Sequence, residues 1–77
     1  MYTVYAIQSD NRNYIYVGLT NNLDRRLREH NRGYNKTTAS YIPFLLLNDR
    51  EFATRKEARE YEKYLKSGAG KEFLKNK

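Results

Sequence analysis

The chain has 77 residues, a net charge of +6 and no cysteine. This length suits one domain with a thin core, residues 1–77. The absence of cysteine excludes a disulfide scaffold, a thiolate zinc site and a cysteine nucleophile. No apolar run approaches the ~20 residues that span a bilayer, and the start lacks a signal-peptide pattern, so we expect a cytoplasmic protein without a membrane partner.

The basic charge predicts a polyanionic partner, most often nucleic acid. Eight tyrosines support this prediction, because tyrosine offers a stacking face and a hydroxyl that binds phosphate. The alternative is a basic surface without a partner, with the tyrosines as core residues.

The first half of the chain predicts a hairpin followed by a helix. "YTVYAI" (Tyr2–Ile7) alternates in size and is typical of a strand, "QSDNRN" has turn chemistry, and "YIYVG" (Tyr14–Gly18) is a second strand. Asn22 is suited to cap the next helix, and Gly33 to end it.

The second half predicts a strand and a further helix. After the polar loop "YNKTTASYIP", with one helical turn, "FLLLN" is interpreted as a third strand, although a buried helix is equally compatible with its periodicity. Thr54 and Glu57 match a capping box, "SGAG" is expected to end the last helix, and "KEFLKNK" to add a final turn. The predicted class is α+β, a small three-stranded antiparallel sheet flanked by helices in the order β-β-α-β-α.

Three polar residues lie on the apolar stripes of these helices. Leu23 and Leu27 mark the core face of the first helix, and Arg26 and His30 fall on the same stripe. In the last helix Glu62 stands where an apolar residue is expected. Because an unpaired buried charge costs several kcal/mol, such groups are usually paired or functional.

Three explanations of this pattern remain open. The first is an Arg26–Glu62 salt bridge, with His30 as a hydrogen-bonded core histidine. The second is a Glu62–Lys66 pair at the rim of the stripe. The third is a cleft whose carboxylate, guanidinium and imidazole bind a metal, grip a phosphate and move a proton.

The hairpin adds candidates to such a cleft. Tyr5 and Tyr16 lie on paired strands and can approach each other, or both can simply be packing residues. Gly18 at the strand exit would let the backbone approach a ligand closely.

Together these residues resemble the motifs of the GIY-YIG nuclease domain family. "TVY" and "YVG" stand where that family has its two tripeptides, with threonine in place of the first glycine. Arg26 and His30 match the arginine and the His or Tyr of its next helix, and Glu62 matches its metal-binding glutamate. The resemblance covers nearly the whole chain, whose length is similar to stand-alone members that resemble the N-terminal domain of the excision-repair nuclease subunit.

The resemblance implies a metal-dependent endonuclease that hydrolyses DNA phosphodiesters to 5′-phosphate and 3′-hydroxyl ends, structure-selective in DNA repair or processing. It implies that Glu62 holds the metal, Arg26 grips a phosphate oxygen, and Tyr5 is a general base working through His30. Tyr16 would hydrogen-bond the phosphate or orient the base. Because only one carboxylate faces the stripe, we expect one hard ion, Mg²⁺ or Mn²⁺.

DNA is the expected partner, with RNA as an alternative, and the expected state is a monomer. A purely binding module with a GIY-YIG-like fold, or a small interaction protein completed by a partner, are the alternative functions. Residues expected to line the nucleic-acid backbone are Gly18, Arg12, Arg25, Arg28, Arg32, Lys36, Thr37 and Thr38.

Overall fold

Three strands and three α-helices follow one another in the order β-β-α-β-α-α, which confirms the α+β class and the three-stranded antiparallel sheet. The structure is a computed structural model that describes all 77 residues. The elements are β1 (Tyr2–Ser9), β2 (Ile15–Thr20), α1 (Leu23–Asn31), a 3₁₀ turn (Ala39–Tyr41), β3 (Phe44–Phe52), α2 (Arg55–Lys66) and α3 (Gly68–Lys75).

The sheet places β1 in the centre, between β2 and β3, and both pairings are antiparallel. Tyr5 lies opposite Gly18, and Ile7 lies opposite Tyr16. Side chains two residues apart on a strand share a face, so Tyr5 and Tyr16 are diagonal neighbours on one face of the sheet. The prediction that these two tyrosines approach each other is confirmed, with ring centroids 6.2 Å apart.

The apolar run "FLLLN" forms an edge strand and not a buried helix. Leu45 and Leu46 are exposed, and the strand continues past Asn48 through a charged stretch to Phe52. Charged residues are common on edge strands, where they discourage pairing with other chains. A shift of register between Ala6 and Ile7 marks a β-bulge in the β1–β3 pair.

Alternation along β1 supplies side chains to two cores on opposite faces of the sheet. One core includes Val4, Ala6 and Val17 under α2 and α3, with Ala58, Leu65 and Leu74. The other includes Tyr5, Ile7 and Phe44, covered by Leu23 and Leu27 of α1. The site residues of β1 and α1 therefore share the second core.

Both ends of α1 are closed as the sequence predicts. The Asn22 side chain accepts from a backbone amide of the first turn at 3.1 Å. Gly33 has φ +77°, and the N–H groups of Gly33 and Tyr34 donate to the carbonyls of His30 and Glu29, each at 3.1 Å. This is the Schellman motif, and it sets the orientation of the last turn, where His30 lies.

The segment "SGAG" starts a helix as well as ending one, which corrects the prediction of a single final turn. The Ser67 hydroxyl caps α3 by accepting from the Gly70 N–H at 3.2 Å. A Cβ at Gly70 would collide with the Tyr64 carbonyl and the Leu65 Cα, so only glycine lets α3 begin this close to α2. None of the three helices is long and apolar enough to cross a membrane.

Candidate active site

Tyr5 occupies the centre of the candidate site, with its ring lying over Gly18. A Cβ at Gly18 would lie 2.6 Å from the Tyr5 Oη, 2.7 Å from its Cζ and 3.0 Å from Cε2 of Tyr16. The space above Gly18, which was predicted to admit a ligand, is therefore filled by the side chain of Tyr5. The glycine is needed to seat Tyr5, and any direct contact of Gly18 with nucleic acid stays a prediction.

The Tyr5 hydroxyl is hydrogen-bonded to the only imidazole of the chain. Its Oη lies 2.9 Å from Nε2 of His30, and Nδ1 of His30 lies 3.0 Å from Oγ1 of Thr38. All three side chains are buried. His30 is thus a hydrogen-bonded core histidine, as one explanation proposed, and the group it bonds is the proposed general base.

Thr38 requires a correction. It was predicted to line a nucleic-acid backbone, but it is fully buried against His30 and is closed to a large ligand. The other predicted backbone-binding side chains are exposed: Arg12, Arg25, Arg28, Arg32, Lys36 and Thr37. Their contact with nucleic acid stays a prediction.

The surroundings of His30 keep its imidazole neutral. The rings of Tyr16, Tyr5 and Phe44 lie around it, with centroids at 4.9, 5.9 and 5.9 Å. Burial lowers the pKa of His30 below its usual 6.5, and the positive charge of Arg26 lowers it further. At neutral pH this histidine is therefore a proton acceptor.

The same burial acts on Tyr5 in the opposite sense. Desolvation raises the pKa of Tyr5 to about 12, and the negative charge of Glu62 adds to this shift. The Arg26 guanidinium, close to the hydroxyl but outside strict hydrogen-bond geometry, opposes the shift. Tyr5 therefore keeps its proton at neutral pH, and it can act as a base only by passing that proton to His30.

Arg26 pairs within its own helix and not with Glu62, so the proposed Arg26–Glu62 salt bridge is wrong. Its Nη1 donates to Oε1 of Glu29 at 3.1 Å, and Arg25 approaches the same carboxylate at 3.9 Å. The Arg26 side chain is about one-third exposed. A guanidinium has five donors, so most of its N–H groups remain open to a phosphate.

Glu62 forms the ion pair that the second explanation predicted. Its Oε2 lies 3.3 Å from Nζ of Lys66, one turn further along α2, while its charge also acts on the Tyr5 hydroxyl. No group of three His, Cys, Asp or Glu side chains converges anywhere in the chain. Mg²⁺ is commonly bound by one or two carboxylates together with water and substrate phosphate. The donor set therefore fits one hard ion at Glu62 and does not fit a two-metal site.

Two basic depressions lie at opposite ends of the edge strand β2. A groove of about 510 Å³ between β2 and the α2–α3 pair is lined by Tyr14, Tyr16, Lys66, Lys71 and Lys75, among others. A second depression of about 340 Å³, near Thr20, includes Arg25, Arg26, Glu29 and Arg55. Lys71, Lys75 and Arg55 were not among the predicted binding residues. The i, i+4 spacing of the two lysines would have indicated a shared helix face had α3 been predicted.

The chain is similar in sequence to two curated bacterial proteins. The chain is 42% identical over 53 residues to a UPF0213 protein of Nitratidesulfovibrio vulgaris, a match that covers 68% of this chain and 48% of the relative. It is 40% identical over 53 residues to a UPF0213 protein of Bacillus licheniformis, covering 68% and 55%. The matches thus span about half the length of these curated relatives.

A solved structure agrees over a longer stretch. The solution NMR structure of a UPF0213 protein from Bacillus halodurans has a TM-score of 0.58 and 31% identity, and the match covers 99% of this chain and 84% of that one. The sequence model of the GIY-YIG catalytic domain matches residues 1–76. The chain therefore belongs to the GIY-YIG domain family, whose members are generally nucleases.

Proposed function

We propose that this protein is a metal-dependent endonuclease that hydrolyses DNA phosphodiesters, leaving 5′-phosphate and 3′-hydroxyl ends. The single observation that carries the proposal is the buried hydrogen bond between Tyr5 Oη and His30 Nε2 at 2.9 Å. A tyrosine with a raised pKa is a poor base alone, but a neutral imidazole in hydrogen-bond contact can take its proton as it accepts another.

Tyr5 and His30 would move one proton for each bond cleaved. A water molecule gives a proton to Tyr5 Oη while the Tyr5 proton passes to His30 Nε2, so the phenol ends neutral and the imidazole positively charged. The water oxygen bonds to phosphorus, the bond from phosphorus to the 3′ oxygen breaks, and this oxygen takes a proton from solvent. Loss of the imidazolium proton to the solvent hydroxide left behind restores the starting state.

Arg26 and Glu62 would manage the charge of the phosphodiester. The free N–H groups of Arg26 suit the non-bridging phosphate oxygens, because the guanidinium fork matches phosphate geometry. Glu62 would hold Mg²⁺ or Mn²⁺, which supplies charge neutralisation at the scissile phosphate when bound. Glu62 would exchange Lys66 for the ion, whereas Arg26 would contact the phosphate through its free N–H groups while it keeps Glu29.

The two basic depressions would hold the flanking backbone. Lysines line the groove at one end of β2 and arginines line the depression at the other, so the nucleic acid would cross the edge strand near Gly18. No motif in the sequence predicts a reading head for base edges, so recognition would follow backbone shape. We therefore propose a structure-selective role in DNA repair or processing, with RNA as the alternative substrate.

Glu62→Gln tests the proposal with Glu60→Gln as its matched control. Purified protein is incubated with nicked, branched and linear DNA in Mg²⁺, and each reaction is repeated in EDTA. We expect Glu62→Gln to lose cleavage by orders of magnitude while binding DNA equally or more tightly, because a negative charge leaves a phosphate site. The exposed Glu60→Gln should keep wild-type turnover. Full activity in Glu62→Gln, or cleavage that persists in EDTA, would contradict the assigned chemistry.

A non-catalytic nucleic-acid-binding module is the second candidate function. Three observations favour it: Glu62 and Arg26 are each engaged in an ion pair, and Tyr5 is only 1% exposed. In such a module the buried Tyr5–His30 pair would be structural. Salt-sensitive DNA binding without cleavage of any substrate in Mg²⁺ or Mn²⁺ would favour this candidate over the nuclease.

A further inference from the structure

Thr38 is a buried polar residue with no part in secondary structure. It directly precedes the 3₁₀ turn, where a threonine side chain commonly caps the following amides, yet its hydroxyl makes no capping bond. The hydroxyl instead lies 3.0 Å from Nδ1 of His30 and 3.4 Å from the carbonyl oxygen of Asn35. When the Thr38 O–H donates to the Asn35 carbonyl, which can only accept, the Thr38 oxygen is free to accept from Nδ1 of His30.

These contacts set the position of the imidazole proton. With the proton on Nδ1, three donors find three acceptors: Tyr5 O–H donates to Nε2, Nδ1–H donates to Thr38, and Thr38 O–H donates to Asn35. With the proton on Nε2, the Tyr5 oxygen becomes the acceptor and the Tyr5 hydrogen loses its partner. The Tyr5 hydroxyl has no hydrogen-bond acceptor other than His30, since the adjacent Arg26 carries donors only. Buried polar hydrogens without acceptors are costly, so the first arrangement is favoured.

We infer that Thr38 is a positioning residue that holds His30 with its proton on Nδ1, so that Nε2 faces Tyr5 as a proton acceptor. The inference rests on the proposed function for its role in catalysis, while the tautomer itself follows from the hydrogen bonds alone. Thr38 would touch neither DNA nor water; it would act through His30. The same contact explains why a threonine in a basic, polar loop is fully buried.

The test uses the fact that His30 is the only histidine of the chain. Nitrogen-15 NMR of the labelled protein at pH 7.5 therefore reports one imidazole, and we expect Nδ1 protonated and Nε2 unprotonated. Thr38→Val keeps the side-chain shape and removes the hydroxyl, and it should populate the opposite tautomer. Turnover on nicked DNA in Mg²⁺ should fall by about 10–100-fold, the range known for groups that orient a metal-bound histidine, applied here to a histidine that accepts a proton.

Thr38→Ser and Ser40→Ala serve as controls. The serine restores the hydroxyl and should return both the tautomer and the turnover toward wild type, whereas Ser40 is exposed, lies outside the predicted binding residues, and should change neither when it loses its hydroxyl. A proton on Nε2 in the wild-type protein would overturn the inference without any variant. An unchanged tautomer in folded Thr38→Val would also overturn it. If no DNA is cut by any form, the nuclease proposal fails while the NMR result still decides the role of Thr38.

Discussion

Gly18→Ala adds one methyl group and tests whether the position of Tyr5 depends on the absence of a side chain at residue 18. The added Cβ would lie 2.6 Å from Tyr5 Oη, whereas ordinary contact begins at 3.4 Å, so the ring must move by roughly 0.8 Å. The Tyr5–His30 hydrogen bond is 2.9 Å long, and a displacement of this size takes it out of hydrogen-bond range. We expect a stability loss of about 1–3 kcal/mol from overpacking and a loss of turnover of about 10²-fold.

Gly68→Ala is the matched control, because a Cβ at that position meets nothing within 4 Å. Both variants are compared by thermal unfolding and by single-turnover cleavage of nicked DNA in Mg²⁺. Gly68→Ala should keep wild-type turnover with equal or slightly higher stability, since alanine is the better helix former. Wild-type turnover in Gly18→Ala would refute the claim that this glycine exists to seat Tyr5.

Three further predictions concern the proton pathway and the basic groove. Tyr5→Phe keeps the ring and removes the oxygen, so the cleavage rate should fall by about 10²–10⁴-fold while the free energy of unfolding decreases by only about 1 kcal/mol. Unimpaired turnover would show that Tyr5 is not the base. Because burial lowers the pKa of His30, the unfolded chain binds a proton that the folded chain does not. The contribution of His30 to the free energy of unfolding should therefore be at its maximum above pH 6.5 and decrease as the pH falls below 6.5. The imidazole NMR signals should titrate with a midpoint under pH 6.5. Lys71→Gln should reduce the slope of log K against log salt for single-stranded DNA by about 0.7, one phosphate contact, whereas Lys63→Gln, outside both depressions, should leave it unchanged.

Local signals in the sequence were sufficient for most of the secondary structure. The caps at Asn22 and Thr54 and the terminator Gly33 lie where their residue types predict, because capping depends on contacts within one turn. The hairpin follows from two β-rich runs around turn residues, and its register brings Tyr5 and Tyr16 together. α3 was missed because its start depends on the close approach of Gly70 to α2.

The motif residues and their faces were likewise readable along the chain, since strand and helix periods are local properties. Lys66, the partner of Glu62, was also predicted because it lies one turn away on the same helix, whereas Thr38 reaches His30 only through the packing of the loop after α1. From the sequence, one explanation paired Arg26 with Glu62, and Thr38 was predicted to line the nucleic-acid backbone. In the structure Arg26 pairs with Glu29, and Thr38 closes over His30. Burial decides the contact between His30 and Thr38, since a buried donor must find an acceptor that is already in place.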